Sequence, residues 1–429
     1  MTCPASSLRA HACALLLALA VPGADASADT ASAAPSMRWA STWYASPQPA
    51  WDDDFILPTG VPASLQGQTV RETVRLSVGG RRIRLVFSNR YGATPLVLGE
   101  TRVAMAGPDG TALPGTSLAV RFGGESGAVV PAGAPLVSDP VDLAPGAFTR
   151  LAISVFLPGP TPLRTFHWGA QQTALVGKGN LTAAPVMALA QGIPGRLFLS
   201  AVLAEVPQAT RTVVVLGDSI TDGNGSTPGA DHRWPDFLAR HLAGSQVAVA
   251  NAGISGARLL GDRMGANALA RFEQDVLGQP GVAAVVVLIG INDIGWPGSP
   301  FAPHERMMTA ARLVAGYRQL IAAAHARKLR IVGATLPPFE GALRGTPFEG
   351  HFSPAKERLR QEVNAWIRDA GEFDAVADFD RLLRDPAAPG RMRPAYDSGD
   401  HLHPGDAGYR AMAESLNLKM LFGDAGTAP

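Results

Sequence analysis

Two architectures are predicted in succession: an all-β sandwich or jelly-roll-like half, then a doubly wound α/β half. Three observations predict this. From about Trp39 to Glu205, apolar and polar residues alternate with a period of two. Gly and Pro break that stretch at short intervals, as in a module of many short strands. From about Thr210 the pattern changes to short apolar runs separated by segments of helical period.

The chain begins with a targeting pattern. Arg9 and His11 precede the apolar run from Cys13 to Val21, and Ala24-Asp25-Ala26 gives an A-x-A cleavage site. Residues 1–26 read as a signal peptide whose apolar run is too short to span a bilayer. Both cysteines, Cys3 and Cys13, lie inside it. The mature chain would then have no disulfide, thiol nucleophile or thiolate metal site. An exported protein, periplasmic or secreted, is expected, with no stable membrane insertion. Residues 27–38 read as a flexible leader of small and polar residues.

In the β half, spanning 39–208, Val70, Glu72, Val74, Leu76 and Val78 alternate with Arg71, Thr73, Arg75 and Ser77. Ile83, Leu85 and Phe87 share one face, and Leu151, Ile153 and Val155 repeat the period. Gly79-Gly80 is a tight-turn signal between two such runs. No internal repeat is evident. Buried aromatics in this half, including the Trp43-Tyr44 pair, His167 and Trp168, fit a β core better than a shared cleft.

In the α/β half, spanning 209–425, Val213–Leu216, Val247–Ala250, Ala283–Ile289, Ile331–Thr335 and Ala375–Ala377 suit strands buried on both faces of a parallel sheet. Pro303 to Arg327 carries apolar residues at helical spacing. Ser353-Pro354 predicts the start of a second helix, which Gly371 ends. Pro404-Gly405 predicts a turn into a last helix. Ligands sit beyond the carboxyl ends of such strands. Ser219, Gly253 and Asn292 each follow a predicted strand, so all three are expected along one edge.

Composition narrows the function. The 429 residues exceed one ordinary domain, and 46% apolar content argues against disorder. A net charge of +1 gives no footprint for nucleic acid or an acidic membrane surface. Chemistry centres on Gly217-Asp218-Ser219, at the exit of a strand, and on Asp400-His401-Leu402-His403. A serine hydroxyl becomes a nucleophile when a base takes its proton. His403 is the candidate base, and Asp400, three residues earlier, the carboxylate that orients it. His401 and Asp397 compete in the same loop; spacing favours His403. The oxyanion formed on attack needs donors, and the candidates are the N–H groups of Ser219 and Gly253 and the amide of Asn292. Asp293 supports the loop. A G-x-S-x-G elbow fails at Thr221, no Gly-Lys-Ser/Thr completes a phosphate loop, and Gly253 with Gly256 only partly matches a dinucleotide loop. A metal on Asp397, Asp400, His401 and His403 lacks a second ligand cluster.

These blocks together resemble the SGNH (GDSL-type) hydrolase family: Gly217-Asp218-Ser219-Ile220-Thr221, Gly253, Gly290-Ile291-Asn292-Asp293, and Asp400 with His403. The resemblance covers roughly residues 210–422. It implies a flavodoxin-like three-layer α/β/α catalytic domain, Ser219 as nucleophile, His403 as base, Asp400 as its orienter, and an oxyanion hole of Ser219, Gly253 and Asn292. Gly223-Asn224-Gly225-Ser226-Thr227 and Arg233-Trp234-Pro235 are similar to an exported two-domain arylesterase/acylhydrolase-like branch. The implied activity is hydrolysis of carboxylic esters through an acyl-enzyme, with no metal or cofactor and with a small-molecule or carbohydrate ester as partner. Two alternatives stand beside it. One is a carbohydrate O-acetylesterase acting on acetylated plant polysaccharide. The other is a glycan-binding protein with an inactive hydrolase domain.

Overall fold

The computed structural model describes residues 36–424. The signal peptide expected at 1–26, and residues 27–35 of the expected leader, lie outside the described residues. Among the described residues, no helix is long and apolar enough to cross a membrane.

The first half is antiparallel. Its strands are β1 (Met37–Tyr44), β2 (Gln68–Arg75), β3 (Ile83–Ser88), β4 (Thr101–Ala106), β5 (Arg150–Leu157), β6 (Thr173–Lys178) and β7 (Leu199–Pro207), with shorter ones between them. One sheet runs in the order β1-β7-β3 and ends on residues 135–137. A second contains β6-β2-β5-β4. Val70, Val74, Leu85, Phe87, Leu151 and Ile153 come from both sheets and share one core, as the period-two pattern requires. Glu72, on the same face as Val70, is buried with them and accepts the Leu197 N–H at 2.6 Å.

The Gly79-Gly80 connection is not a hairpin. It carries the chain from β2 in one sheet to β3 in the other. The glycines serve close approach instead: a Cβ on Gly79 would lie 2.3 Å from Pro145 O, and one on Gly80 2.8 Å from Glu205 O.

Residues 208–210 join β7 to the second half, which is built on β8 (Arg211–Gly217), β9 (Val247–Gly253), β10 (Val282–Leu288), β11 (Arg330–Ala334) and β12 (Ala375–Ala377). All five are parallel, in the order β9-β8-β10-β11-β12. This is the flavodoxin-like order, with its switch point between β8 and β10. Val213 to Leu216 are fully buried, so β8 is covered on both faces. The helices that matter here are α1 (Ser219–Asp222), α2 (Trp234–His241), α3 (Ile291–Gly295), α4 (Ala310–Ala326), α5 (Pro354–Asp369) and α6 (Asp406–Glu414). Helix α2 packs on α6, and α4 on α5. The helix expected from Pro303 begins only at Ala310, because the Thr309 side chain caps it by accepting the Arg312 N–H. Ser353 caps α5 as expected, accepting the Lys356 N–H.

Both halves belong to one compact unit that starts at Ser36. Ala40, Ala204 and Val206 pack against Ala248 of β9. Tyr44 donates to Asp275 at 2.7 Å, and the Val249 N–H donates to Ser77 Oγ at 3.0 Å.

Candidate active site

Sheet register assembles the site. Gly217, the last residue of β8, pairs with Gly253 of β9 and Leu288 of β10. The loops after these strands therefore open on one edge. Asp218 caps α1, its Oδ1 accepting the Ile220 N–H at 3.0 Å, which places Ser219 in the first turn directly after the strand.

Ser219 and His403, 184 residues apart in sequence, meet here. Ser219 Oγ and His403 Nε2 are 2.8 Å apart, and His403 Nδ1 lies 2.6 Å from Asp400 Oδ2. Asp400 is a carboxylate, so Nδ1 carries the ring proton and Nε2 accepts from the serine hydroxyl. Asp400 Oδ1 takes the N–H groups of Leu402 and His403 at 2.9 and 2.8 Å. Burial pushes this carboxyl up, but the bonds to His403 and the backbone outweigh it and hold Asp400 well below the usual carboxylate range. The charge that steadies an imidazolium is therefore permanent near neutral pH.

The rival pair is separate. His401 Nδ1 lies 2.6 Å from Asp397 Oδ2, with the ring about half exposed. Asp397 thus holds His401, while Asp400 holds His403.

Ser219 and His403 line a cavity of about 180 Å³ together with Asn224, Ser255, Gly256 and Asn292. Leu57, Trp168, Met264, Trp296, Phe301 and Phe348 supply much of its apolar wall. A larger open groove of about 1220 Å³ shares Trp296 and Phe301 with it but lacks Ser219, Asn292 and His403. The chemistry therefore belongs to the smaller space.

One expected donor is corrected. The Gly253 N–H is taken by Asn251 Oδ1 at 2.9 Å, and a Cβ there would lie 2.3 Å from the backbone nitrogen of Asp222. Gly253 is packed beneath α1 and does not line the cavity. Gly256 takes its place: it lines the cavity at φ +77°, and its N–H meets no acceptor among the described residues. The Ser219 N–H likewise meets none. Asn292 Nδ2 donates one hydrogen to Ala257 O at 3.0 Å, leaving the other for the cavity. Asp293 accepts the N–H groups of Leu259 and Leu260, at 2.6 and 2.9 Å, and so holds the loop that follows Gly256. Burial raises its carboxyl to about 6 against the pull of those bonds.

Two further groups at the site, Asp218 and His351, have no role assigned from sequence. Asp218, fully buried, has Oδ2 without a partner among the described residues, and burial raises its carboxyl to about 7. His351 lines the cavity with both ring nitrogens unpartnered among the described residues. Burial, reinforced by the Lys356 charge, lowers it to about 3, so this ring stays neutral. Trp168, expected in the β core, packs against that core and also walls the cavity, while Trp43 lies in the sandwich core beneath Arg196. No sequence pattern marked Asp218 or His351 in these roles.

A parallel α/β sheet with a serine, a histidine and a carboxylate joined at its carboxyl edge defines the hydrolase class. Residues 215–411 match the model of the GDSL-like lipase/acylhydrolase family. No curated protein matches the chain. Among solved structures, a carbohydrate acetylesterase family member from Sinorhizobium meliloti is similar over 50% of this chain and 100% of its own, at 21% identity and TM-score 0.39. An aryl esterase from M. smegmatis is similar over 48% of this chain and 96% of its own, at 15% identity and TM-score 0.38. A GDSL-like lipase from Bacteroides thetaiotaomicron is similar over 47% of this chain and 84% of its own, at 20% identity and TM-score 0.35.

Proposed function

We propose that this chain is an exported serine esterase of the arylesterase/acylhydrolase type. The observation that carries the reading is the continuous relay from Ser219 through His403 to Asp400, opening on a cavity with unused N–H donors.

Ser219 Oγ attacks the ester carbonyl carbon while its proton passes to His403 Nε2. The carbonyl oxygen becomes an oxyanion, received by the N–H groups of Ser219 and Gly256 and by the Asn292 amide. His403 then gives its proton to the leaving alcohol oxygen as the carbon–oxygen bond breaks, leaving an acyl-Ser219 ester. Water attacks that ester and loses its proton to His403. Collapse releases the carboxylic acid and returns the proton to Ser219.

The apolar wall of Leu57, Trp168, Met264 and Phe348 supports an acyl or aryl group in the cavity rather than the polar sugar of an O-acetylated polysaccharide. Export rests on the A-x-A pattern at Ala24-Asp25-Ala26; the amino-terminal sequence of protein recovered outside the cytoplasm tests it. The central test is Ser219→Ala against p-nitrophenyl acetate and butyrate. Loss of turnover and of fluorophosphonate labelling, with unchanged thermal unfolding, is expected. Turnover at the wild-type rate would overturn the assignment.

A further inference from the structure

A buried side chain of the strand-rich half reaches the helix that carries Ser219. His167, 4% exposed, sits at the end of the short strand Thr165–His167. Its Nδ1 lies 2.8 Å from Ser46 O and its Nε2 lies 3.0 Å from Asp222 Oδ1. The ring is thus held between the Ser46 carbonyl and the Asp222 carboxylate. Asp222, 1% exposed, is the last residue of α1, which begins with Ser219. Its other oxygen accepts the Ser255 N–H at 3.2 Å and the Ser255 hydroxyl at 2.6 Å. Ser255 immediately precedes Gly256. One carboxylate thus ties the end of the serine helix to the loop that presents Gly256, and an imidazole from the other half of the chain orients that carboxylate.

The surroundings fit this link. A Cβ on Gly169 (φ +77°) would lie 2.5 Å from Ser255 Oγ, so only glycine lets the backbone after His167 approach so closely. Gln171, from the same segment, donates to Asn224 Oδ1 at 3.0 Å. Gln48 accepts the Trp168 N–H at 2.6 Å and donates to Met264 O at 2.7 Å.

We propose that His167 is a positioning residue: acting through Asp222, it fixes the Ser255–Gly256 loop against α1, so that the strand-rich half sets the geometry of the oxyanion site. This rests on the hydrolase reading above. A buried carboxylate accepting from three donors has one low-energy orientation; without the imidazole it loses a charge-assisted bond and is free to turn.

The test uses the full chain and a side-chain series. His167→Gln keeps a donor near the position of Nε2, facing Asp222. His167→Asn keeps one near Nδ1, facing Ser46 O, and abandons Asp222. Displacement of the oxyanion loop should lower kcat by roughly 100-fold in His167→Asn, with KM changed by less than about threefold. His167→Gln should recover most of that loss, and the rate of fluorophosphonate labelling should follow kcat across the series. Equal kcat in the two variants, or a loss confined to KM or to thermal stability, overturns the proposal. Should either variant fail to fold, Ser255→Ala removes the hydroxyl bond to Asp222 from the other side. A fall in its kcat at unchanged KM is expected, and an unchanged kcat overturns the proposal. Ser219→Ala separates the two readings. If that variant remains active, the hydrolase assignment fails. If it is inactive while the His167 and Ser255 variants behave as wild type, only the positioning role fails.

Discussion

Replacing Asp218 by Asn should stabilise the protein at neutral pH and leave it nearly unchanged in acid. Asp218 is fully buried beside Ser219, with one oxygen on the Ile220 N–H and the other without a partner among the described residues. Burial raises its carboxyl from the ordinary 3.8 to about 7, against the Ile220 bond and the His403 charge, which pull it down. Below 3.8 the group is protonated in both folded and unfolded chains and contributes no difference. Between about 4 and about 7 the unfolded chain ionises first, so stability falls as pH rises. Above about 7 the whole difference is expressed. A gap of roughly 3 pH units at about 1.4 kcal/mol each sets an upper bound near 4 kcal/mol. Asn caps a helix as well as Asp does and retains the acceptor for Ile220. Glu72 and Asp293 shift in the same direction, to about 7 and about 6, but they are present in both proteins and cancel in the difference. Urea unfolding followed by tryptophan fluorescence, at several pH values from about 4 to about 8, measures the gap. The variant should be the more stable by up to about 4 kcal/mol at the upper end, with the gap closing to within about 1 kcal/mol at the lower. A gap independent of pH, or a wild type more stable at the upper end, would refute the reasoning.

Three further outcomes follow from the site. Asn292→Ala should lower kcat by about 10²–10³ with little change in KM, because one amide hydrogen is lost from the oxyanion; steady-state kinetics on an aryl ester separates the two constants. His403→Ala should abolish turnover while His401→Ala stays within about twofold of wild type, since only His403 touches Ser219; a reversed order would move the base to the other pair. Asp400→Asn should reduce kcat by about 10⁴, because an amide steadies neither the imidazolium nor the required ring tautomer. A pH–rate profile that gained full activity at high pH would count against that role.

The α/β half was legible because its signals are local. A strand buried on both faces must be apolar along its whole length, and Val213 to Leu216 are. Helix α5 announced itself by Ser353-Pro354, whose capping geometry depends on three neighbouring residues. The start of α4 was misplaced because Pro303 to Thr309 carries a compatible apolar spacing, and only the cap at Thr309 decides where the backbone turns. The sandwich was harder. Gly79-Gly80 looks like a hairpin turn in sequence, yet the backbones that demand glycine there, at Pro145 and Glu205, are 66 and 125 residues away. Close approach of distant segments leaves no periodic trace.

The same contrast governs the site. Ser219, Asn292, Asp400 and His403 were readable because each sits in a short block whose local turn places it, and the sheet register then aligns the blocks. The misassigned glycine is instructive, since Gly253 and Gly256 both come just after the apolar run Val247–Ala250. What separates them is Asn251, whose side chain folds onto the N–H two residues ahead and consumes it. That is an Asx turn, and Asn251-Ala252-Gly253 carries its signature. Read as a turn, the motif disqualifies Gly253 and moves the free N–H to Gly256. By contrast, nothing near His167 in sequence announces Asp222. The bond between them exists only because β1, β7 and β9 hold the two halves together, and a contact that depends on the packing of one half against the other becomes visible only in the fold.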